Sequence, residues 1–330
     1  MKTKSKWCAA ATASLYVTCA WMLSTSPAST AASYPERPVR FVLGFPPGGS
    51  SDGIARVVAP KLHELMGQPW VIDNRPGAAG NIATEIVAQA NPDGHTVLLG
   101  FSTTLTVNPS LYKLSFDVKR DFRPVTLLAA GQYMLVTHPS VNASSVKGFI
   151  ELAKRQRDPF NYASSGYGSP HQLAAELFKL RAGIDMVHVP YKGGGPAAAA
   201  VVGKEVQVLF ASLTSILPHV NTGRVKALAV TGSNRAPVAR DVPTVGESGF
   251  PGFEVTSWYG LVVPSRTSQN IIDKLHGAAG RVLQMRDIHT ALTRLGLDVI
   301  GKGPNPFAAQ IDSETKQWAA VIKRANIQVR

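Results

Sequence analysis

Residues 39–67 read VRFVLGFPPGGSSDGIARVVAPKLHELMG, and this stretch decides the class of fold. The apolar run Val39–Phe45 predicts a buried strand, because it is short and is ended by two prolines and two glycines. Apolar residues then recur every three or four positions from Ile54 to Leu65, which predicts a helix, and Gly67 is typical of a helix end. Strand, glycine-rich turn and helix together form the repeating unit of an α/β protein.

The same alternation of strands and helices continues through most of the chain. Further strands are predicted at Trp70–Ile72, Thr96–Leu99, Leu135–Thr137, Met186–Val189, Val206–Phe210, Val225–Thr231 and Tyr259–Val263. Further helices are predicted at Val146–Lys154, His171–Leu180, Asn270–Met285, Asp287–Leu295 and Pro306–Asn326. Strands that alternate with helices of this length favour parallel sheets that are covered on both faces.

The N-terminus has the order of segments that is typical of a secretory signal peptide. A short basic start is followed by an apolar stretch from Trp7 to Leu23 and then by small residues. The apolar stretch is short and is interrupted by hydroxyl residues, which disfavours a membrane-spanning helix. We therefore expect residues 1–32 to be a leader that is cleaved after Ala31 or Ala32, and we expect the mature protein in the periplasm.

The composition narrows the class of partner. Both cysteines, Cys8 and Cys19, lie in the predicted leader, so the mature chain would have no thiol for a disulfide, a nucleophile or a metal site. The formal charge of +13 favours anionic partners. The densest basic run, residues 154–157, is typical of a helix end, and no nucleic-acid module surrounds it. We expect a small anion as partner, no nucleic acid, and no membrane span after the leader.

Three loops combine glycine, hydroxyl groups and a following predicted helix: residues 45–52, 164–170 and 191–196. Helix starts expose N–H groups that bind carboxylates, and glycine lets the backbone approach a ligand closely. Each loop by itself is equally well explained by turn and capping chemistry. Ligands in open α/β sheets bind beyond the carboxyl ends of strands, so the three loops together predict an anion site at a sheet edge.

The search for catalytic motifs favours a binding protein over an enzyme. None of the histidines after the leader forms a His-Glu-x-x-His pattern, and the Gly-Lys-Ser/Thr ending of a phosphate-binding loop is missing. Gly48 and Gly49 lack the third glycine of the dinucleotide fingerprint. We therefore expect no catalytic residue, no cofactor and no metal. His171 follows a Ser-Pro pair at a predicted helix start, where it is either a ligand contact or a surface residue.

Short motifs also occur in order along nearly the whole chain after the leader. They are Tyr34–Pro38, Phe45–Gly49 with Asp52, Gly67–Gln68, Asn74–Ala78 with Gly80–Ile82, Pro92–Gly94, Asn108–Tyr112, Val189–Gly193 and Pro243–Thr244. Together they resemble the Bug family, the extracytoplasmic receptors of tripartite tricarboxylate transporters. The resemblance implies an α/β type II periplasmic binding protein fold, with two lobes of parallel-rich sheet around a ligand cleft. We expect residues 33–131 and 256–330 to form lobe 1 and residues 132–255 to form lobe 2.

The resemblance also implies a function. Such receptors capture a small carboxylate (a di- or tricarboxylate, an acidic amino acid or an aromatic acid), largely through backbone amides, for uptake by an inner-membrane permease. We expect a monomer. From the resemblance and from the loops, we expect the following residues to bind the ligand: Phe45, Pro47, Gly48, Gly49, Asp52, Ser102, Thr103, Thr104, Ser164, Ser165, Gly166, Ser169, His171, Tyr191, Gly193 and Gly194.

Two other classes of protein stay open at this point. A sensing protein would present its closed form to a signalling partner instead of a permease, and the sequence does not separate these two roles. A periplasmic hydrolase or lyase would need catalytic residues that are dispersed through the chain. The aromatic residues Phe101, Tyr167, Tyr191, Trp258 and Tyr259 either line the cleft or pack in the core.

Overall fold

A ten-stranded sheet runs through the protein, whose computed structural model describes residues 34–329, apart from the side chain of Thr214. The predicted signal peptide lies outside the described residues. The strands are β1 (Val39–Leu43), β2 (Trp70–Asn74), β3 (Thr96–Phe101), β4 (Phe122–Thr137), β5 (Phe160–Ser164), β6 (Met186–Pro190), β7 (Val208–Ser212), β8 (Lys226–Val230), β9 (Thr256–Pro264) and β10 (Leu297–Lys302). The α/β class predicted from the sequence is confirmed.

Helices connect most of these strands. They are α1 (Ser50–Met66), α2 (Asn81–Ala88), α3 (Asn108–Leu111), α4 (Val118–Asp121), α5 (Val146–Arg155), α6 (Pro170–Ala182), α7 (Gly194–Val202), α8 (Leu213–Asn221), α9 (Gln269–Gln284), α10 (Arg286–Arg294) and α11 (Pro304–Arg324). A 3₁₀ turn spans Ala78–Gly80, and a π-helical turn spans Thr103–Val107. Helix α1 ends where the sequence predicts, because Gly67 takes the left-handed conformation (φ 78°).

The sheet contains two sets of three parallel strands that share one strand order. Strand β1 pairs in parallel with β2 and β3, and β5 pairs in parallel with β6 and β7. In each set the chain passes from the central strand to one side and then returns to the other side. Such a reversal opens a crevice beyond the carboxyl end of the central strand. The loops after β1 and β5 therefore start at these two crevices.

The long strand β4 joins the two sets. Its first part, up to Gln132, pairs antiparallel with β9, and part of that stretch also pairs with β10. From Tyr133 onward it pairs antiparallel with β7, and Met134 begins its pairing with β8. We call the part of the sheet that contains β1–β3, β9 and β10 the first half, and the part that contains β5–β8 the second half. Strand β4 changes partners between Gln132 and Tyr133.

Each half has its own hydrophobic core. Trp258 is completely buried in the first half and packs edge-on against Phe307, with ring centroids 5.1 Å apart. In the second half the buried Phe178 contacts Phe149 and Phe210. Trp258 is therefore a core residue, which resolves one of the two roles that the sequence left open for it.

Candidate functional site

The loop after β1 is held in shape by Asp52. Its Oδ2 accepts hydrogen bonds from the Gly48 N–H (3.0 Å) and from Arg56 Nε (2.7 Å). The hydrogen bond from Arg56 and then the one from Gly48 lower the pKa of Asp52. Gly48 has φ +87°, a conformation that glycine adopts without strain. Asp52 thus builds the loop, and Gly48 and Gly49 stay exposed at the start of α1.

Three aromatic rings follow this loop into the interior. Phe45 meets Phe101 edge-on at 5.2 Å, and Phe101 lies 5.1 Å from Tyr259. The side chain of Ser50 is hydrogen-bonded to Tyr259, whose pKa burial raises to about 12. Two of the aromatics considered from the sequence, Phe101 and Tyr259, therefore lie beside the loop after β1.

On the second half, His171 connects several predicted site residues. Its Nδ1 is hydrogen-bonded to Ser165 Oγ at 2.7 Å, and its ring meets Tyr133 edge-on at 5.2 Å. The backbone at Gly194 passes so close that a Cβ there would lie 3.7 Å from the His171 ring. The hydroxyl of Tyr133 in turn hydrogen-bonds to Ser257 on β9. Burial lowers the pKa of His171 to about 4, so its imidazole is neutral at pH 7.

A cavity of ≈ 60 Å³ lies where the residues around the loop after β1 meet the residues around His171. Its lining contains five hydroxyl groups from both halves, those of Ser50, Tyr133, Ser212, Ser257 and Tyr259, and no lysine, arginine or acidic residue. Helices α1 and α8 both begin at this cavity, at Ser50 and Leu213. Helix starts present free N–H groups and a partial positive charge. The cavity is therefore suited to an anion that is held by hydrogen bonds without a cationic side chain.

The predicted contact region after β3 also faces the second half. Ser102 and Thr103 line a small cavity of ≈ 10 Å³ together with Pro170 at the start of α6. Thr104 instead turns inward and donates from its hydroxyl to the Ala79 carbonyl at 3.0 Å. Ser102 and Thr103 are thus placed between the halves, whereas the hydroxyl of Thr104 braces the neighbouring turn.

Several other predicted residues make bonds that build loops. Ser169 caps α6 by accepting from the Gln172 N–H, and the Tyr191 hydroxyl donates to Glu205 at 3.1 Å. Gly193 precedes α7 with φ +116°. The N–H of Gly166 donates to Ser164 Oγ at 3.0 Å. Direct ligand roles for these residues, and for Pro47, stay predictions.

The pair Ser164 and His188 superficially resembles a catalytic dyad, because Ser164 Oγ lies 2.6 Å from His188 Nε2. The Gly168 N–H donates to Gln172 Oε1 (2.7 Å), which turns the amide nitrogen of Gln172 toward His188 Nδ1 at 3.2 Å. Nδ1 therefore accepts, and Nε2 carries the proton and donates to the serine. A general base must accept the serine proton, so this tautomer opposes catalysis.

One serine motif escaped the sequence prediction. Residues 49–53 read GSSDG, which matches the Gly-x-Ser-x-Gly pattern of a nucleophile elbow at Ser51. Ser51 is 5% exposed and lies inside helix α1, one residue beyond the helix start. Within residues 34–329, no hydrogen bond joins Ser51 to a histidine that would activate it. The motif here forms a turn and a helix start.

No group of three or more histidine, cysteine, aspartate or glutamate residues in the described part of the chain is arranged to hold a metal ion. None of the helices within residues 34–329 has both the length and the apolar character needed to cross a membrane.

The structure adds cavity residues that were not among the predicted ligand contacts. They are Ser50, Gln132, Tyr133, Ser212 and Ser257. Gln132 and Tyr133 lie where β4 changes partners, and Ser257 lies opposite Gly131 on β9. None of them belongs to a glycine-rich motif except Ser50, which directly follows Gly49. The position of Ser50 inside the predicted loop 45–52 was the one available signal.

Comparison with known proteins agrees with this geometry. The chain matches the model of the tripartite tricarboxylate transporter family receptor over residues 54–327. It is 33% identical over 303 residues to the protein BugT of Bordetella pertussis, with 91% of this chain and 93% of that protein covered.

Solved structures give the same result. Rpa4515 of R. palustris with adipate shares 32% identity and a TM-score of 0.76, over 90% of this chain and 100% of that chain. MatC (Rpa3494) of Rhodopseudomonas palustris with bound malate shares 34% identity and a TM-score of 0.72, over 88% and 100%. The family consists of solute-binding receptors and not of enzymes. The chain therefore belongs to the tripartite tricarboxylate transporter receptors of the Bug type, a family of periplasmic solute-binding proteins.

Proposed function

We propose that this protein is a periplasmic receptor that binds a small carboxylate in the cleft between the two halves and delivers it to an inner-membrane permease. The observation that carries the proposal is the cavity where the starts of α1 and α8 meet hydroxyl groups from both halves. The adipate and malate bound by two related proteins support the same class of ligand. The leader predicted at residues 1–32 supports export.

Hydrogen bonds would supply the affinity in this cleft. A hydrogen bond to a charged group contributes roughly 1.5–3 kcal/mol, and micromolar binding requires about 8 kcal/mol. Three to five such bonds therefore suffice, and the hydroxyl of Ser257 together with the N–H groups at Ser50 and Leu213 offers three. The neutral His171 adds a hydrogen-bonding group near the cleft without adding charge.

Closure of the protein follows from the position of the cleft. A ligand that touches both halves stabilises the form in which they are close together. Strand β4 changes partners at Gln132 and Tyr133, and β9 begins at Thr256. These positions support the two expected crossings between a lobe of residues 33–131 and 256–330 and a lobe of residues 132–255. The end of α11 departs from that division, because Trp318, Val321 and Ile322 pack in the core of the second half.

A thermal-shift panel of mono-, di- and tricarboxylates tests the ligand class, because a ligand that binds the folded state raises the melting temperature. Gly49→Leu should abolish the shift and preserve the fold. Gly49 is extended (φ −84°), and an added Cβ would come no closer than 3.7 Å to the Pro46 carbonyl. Gly277→Leu is the matched control, since a Cβ there has no neighbour within 4 Å.

Two outcomes would contradict the proposal. If no carboxylate in the panel raises the melting temperature, the cleft does not bind this class of anion. If Gly49→Leu responds as Gly277→Leu does, the loop after β1 is only structural.

Co-purification of the adipate-loaded receptor with solubilised inner membranes tests the partner. Recovery of a permease supports the role in transport, and recovery of a signalling protein instead overturns it.

A further inference from the structure

A second and much larger space lies between the chain segment that leads into β4 and helix α11. We call it the β4–α11 groove. Its volume is ≈ 570 Å³, and its lining includes Leu105, Phe116, Phe122, Val262, Ile311 and Lys316. None of its lining residues borders either of the two cleft cavities. Small-molecule sites have volumes of roughly 300–1,000 Å³. We propose that this groove is a second binding site, which takes an amphiphilic monocarboxylate.

The floor of the groove is apolar and firmly packed. Leu105, Phe122 and Val262 are 0%, 5% and 1% exposed and belong to the core of the first half. Phe116 meets Phe122 edge-on, with ring centroids 5.8 Å apart. A floor made of core side chains keeps its shape when a ligand enters. Each methylene group that a ligand buries on it should strengthen binding by about fourfold.

The mouth of the groove is charged. Lys119 Nζ lies 3.7 Å from Asp312 Oδ2, and these side chains are 83% and 51% exposed. So exposed a pair contributes little to stability, and it can separate to admit a ligand. Asp117 also lines the groove, but its carboxylate already accepts from the Arg120 N–H at 2.7 Å as the cap of α4.

The charge at the mouth selects the head group of the ligand. Lys316 lies one helical turn beyond Asp312 and is exposed, and within residues 34–329 it forms no ion pair. It is therefore free to pair with one carboxylate. A second carboxylate at the other end of the ligand would rest on the apolar floor without a partner, which is costly. The geometry thus favours an apolar body with a single acidic end over the dicarboxylates that related proteins hold.

Calorimetric titration with octanoate, decanoate and adipate tests this site on the mature protein. Decanoate should bind about sixteenfold more tightly than octanoate, because it buries two more methylene groups. Ala308→Trp, which fills the groove from the half-exposed side of α11, should abolish decanoate binding. Lys316→Gln should weaken it by about fivefold, and Lys323→Gln, a change of an exposed lysine on the same helix, should leave it unchanged.

Three results would overturn the inference: no binding of decanoate to the wild type, unchanged binding in Ala308→Trp, or equal affinities of Lys316→Gln and Lys323→Gln. Circular dichroism checks the fold of Ala308→Trp, and the lysine pair keeps the test decisive if that variant fails to fold. Titration of adipate into the same variants reports on the cleft separately, since the two sites share no lining residue.

Discussion

Replacement of Glu314 by glutamine should make the protein more stable above neutral pH. Glu314 lies on α11, where its Oε2 accepts from Trp258 Nε1 (2.7 Å) and its Oε1 accepts from Gln310 Nε2 (2.8 Å). Burial raises the pKa of Glu314 to about 7, and the neighbouring Glu254 adds to the rise, whereas hydrogen bonds from Trp258 and Gln310 and the charge of Lys302 oppose it. The native protein therefore holds a proton that the unfolded chain releases.

The sign and size of the effect follow from this difference. Between pH 4.5 and pH 7 the native state binds more protons than the unfolded state, so the free energy of unfolding falls as the pH rises through this window. The full loss above pH 7 is on the order of 3 kcal/mol. Glutamine resembles the protonated acid and should keep that stability. It can still accept from Trp258, and reorienting Gln310 would cost one exposed hydrogen bond from Lys302, roughly 1 kcal/mol.

Urea unfolding of both proteins at pH 5, 6, 7 and 8 measures this effect. Wild type and Glu314→Gln should be similar at pH 5, and the variant should be more stable by about 2 kcal/mol at pH 8. All other titrating groups are common to both proteins and cancel in the difference. The control Glu254→Gln changes the exposed neighbour and should reproduce only a small part of the gain. Parallel pH profiles of wild type and Glu314→Gln would refute the reasoning.

Three more predictions concern other parts of the molecule. Burial lowers the pKa of His171 and of His188 to about 4, so the free energy of unfolding should fall as the pH drops from 6.5 to 4. Urea unfolding measures how much free energy of unfolding is lost between pH 7 and pH 5, and this loss should be about 2 kcal/mol smaller in His171→Asn than in the wild type. An equal loss in both proteins would contradict this. Gly260→Ala should lower the free energy of unfolding by about 3 kcal/mol or more, because a Cβ there would lie 2.4 Å from Phe307 and 2.9 Å from the Thr126 carbonyl. The matched Gly277→Ala should be neutral or stabilising, and equal melting temperatures for the two variants would refute the packing argument. Mass spectrometry of the exported protein should show a mature N-terminus at Ala32 or Ser33, and an intact N-terminus would rule out cleavage.

The sequence predicted the regular parts of the fold well and the centre of the sheet poorly. Strand β1 and helix α1 were predicted because apolar periodicity and Gly67 are local signals. Strand β4 extends over Phe122–Thr137, whereas the sequence indicated only its last three residues. Pro124 and Gly131 obscure the pattern there, and pairing with β9 and β10 stabilises the strand instead. Strand β10 was not predicted, because its residues are only partly apolar and its pairing with β4 is long-range.

The sequence by itself determined which loops are predicted to bind an anion: their glycines, hydroxyls and following helices are encoded by neighbouring residues. It also determined the family, through short motifs along the whole chain. Only the tertiary structure decided which hydroxyl groups meet in the cavity. Ser50, Tyr133, Ser212 and Ser257 come from distant parts of the chain and converge through the pairing of β4 with β7 and β9. Local conformational preferences act over a few residues, whereas a cavity between sheet halves depends on strand pairings that no local pattern specifies.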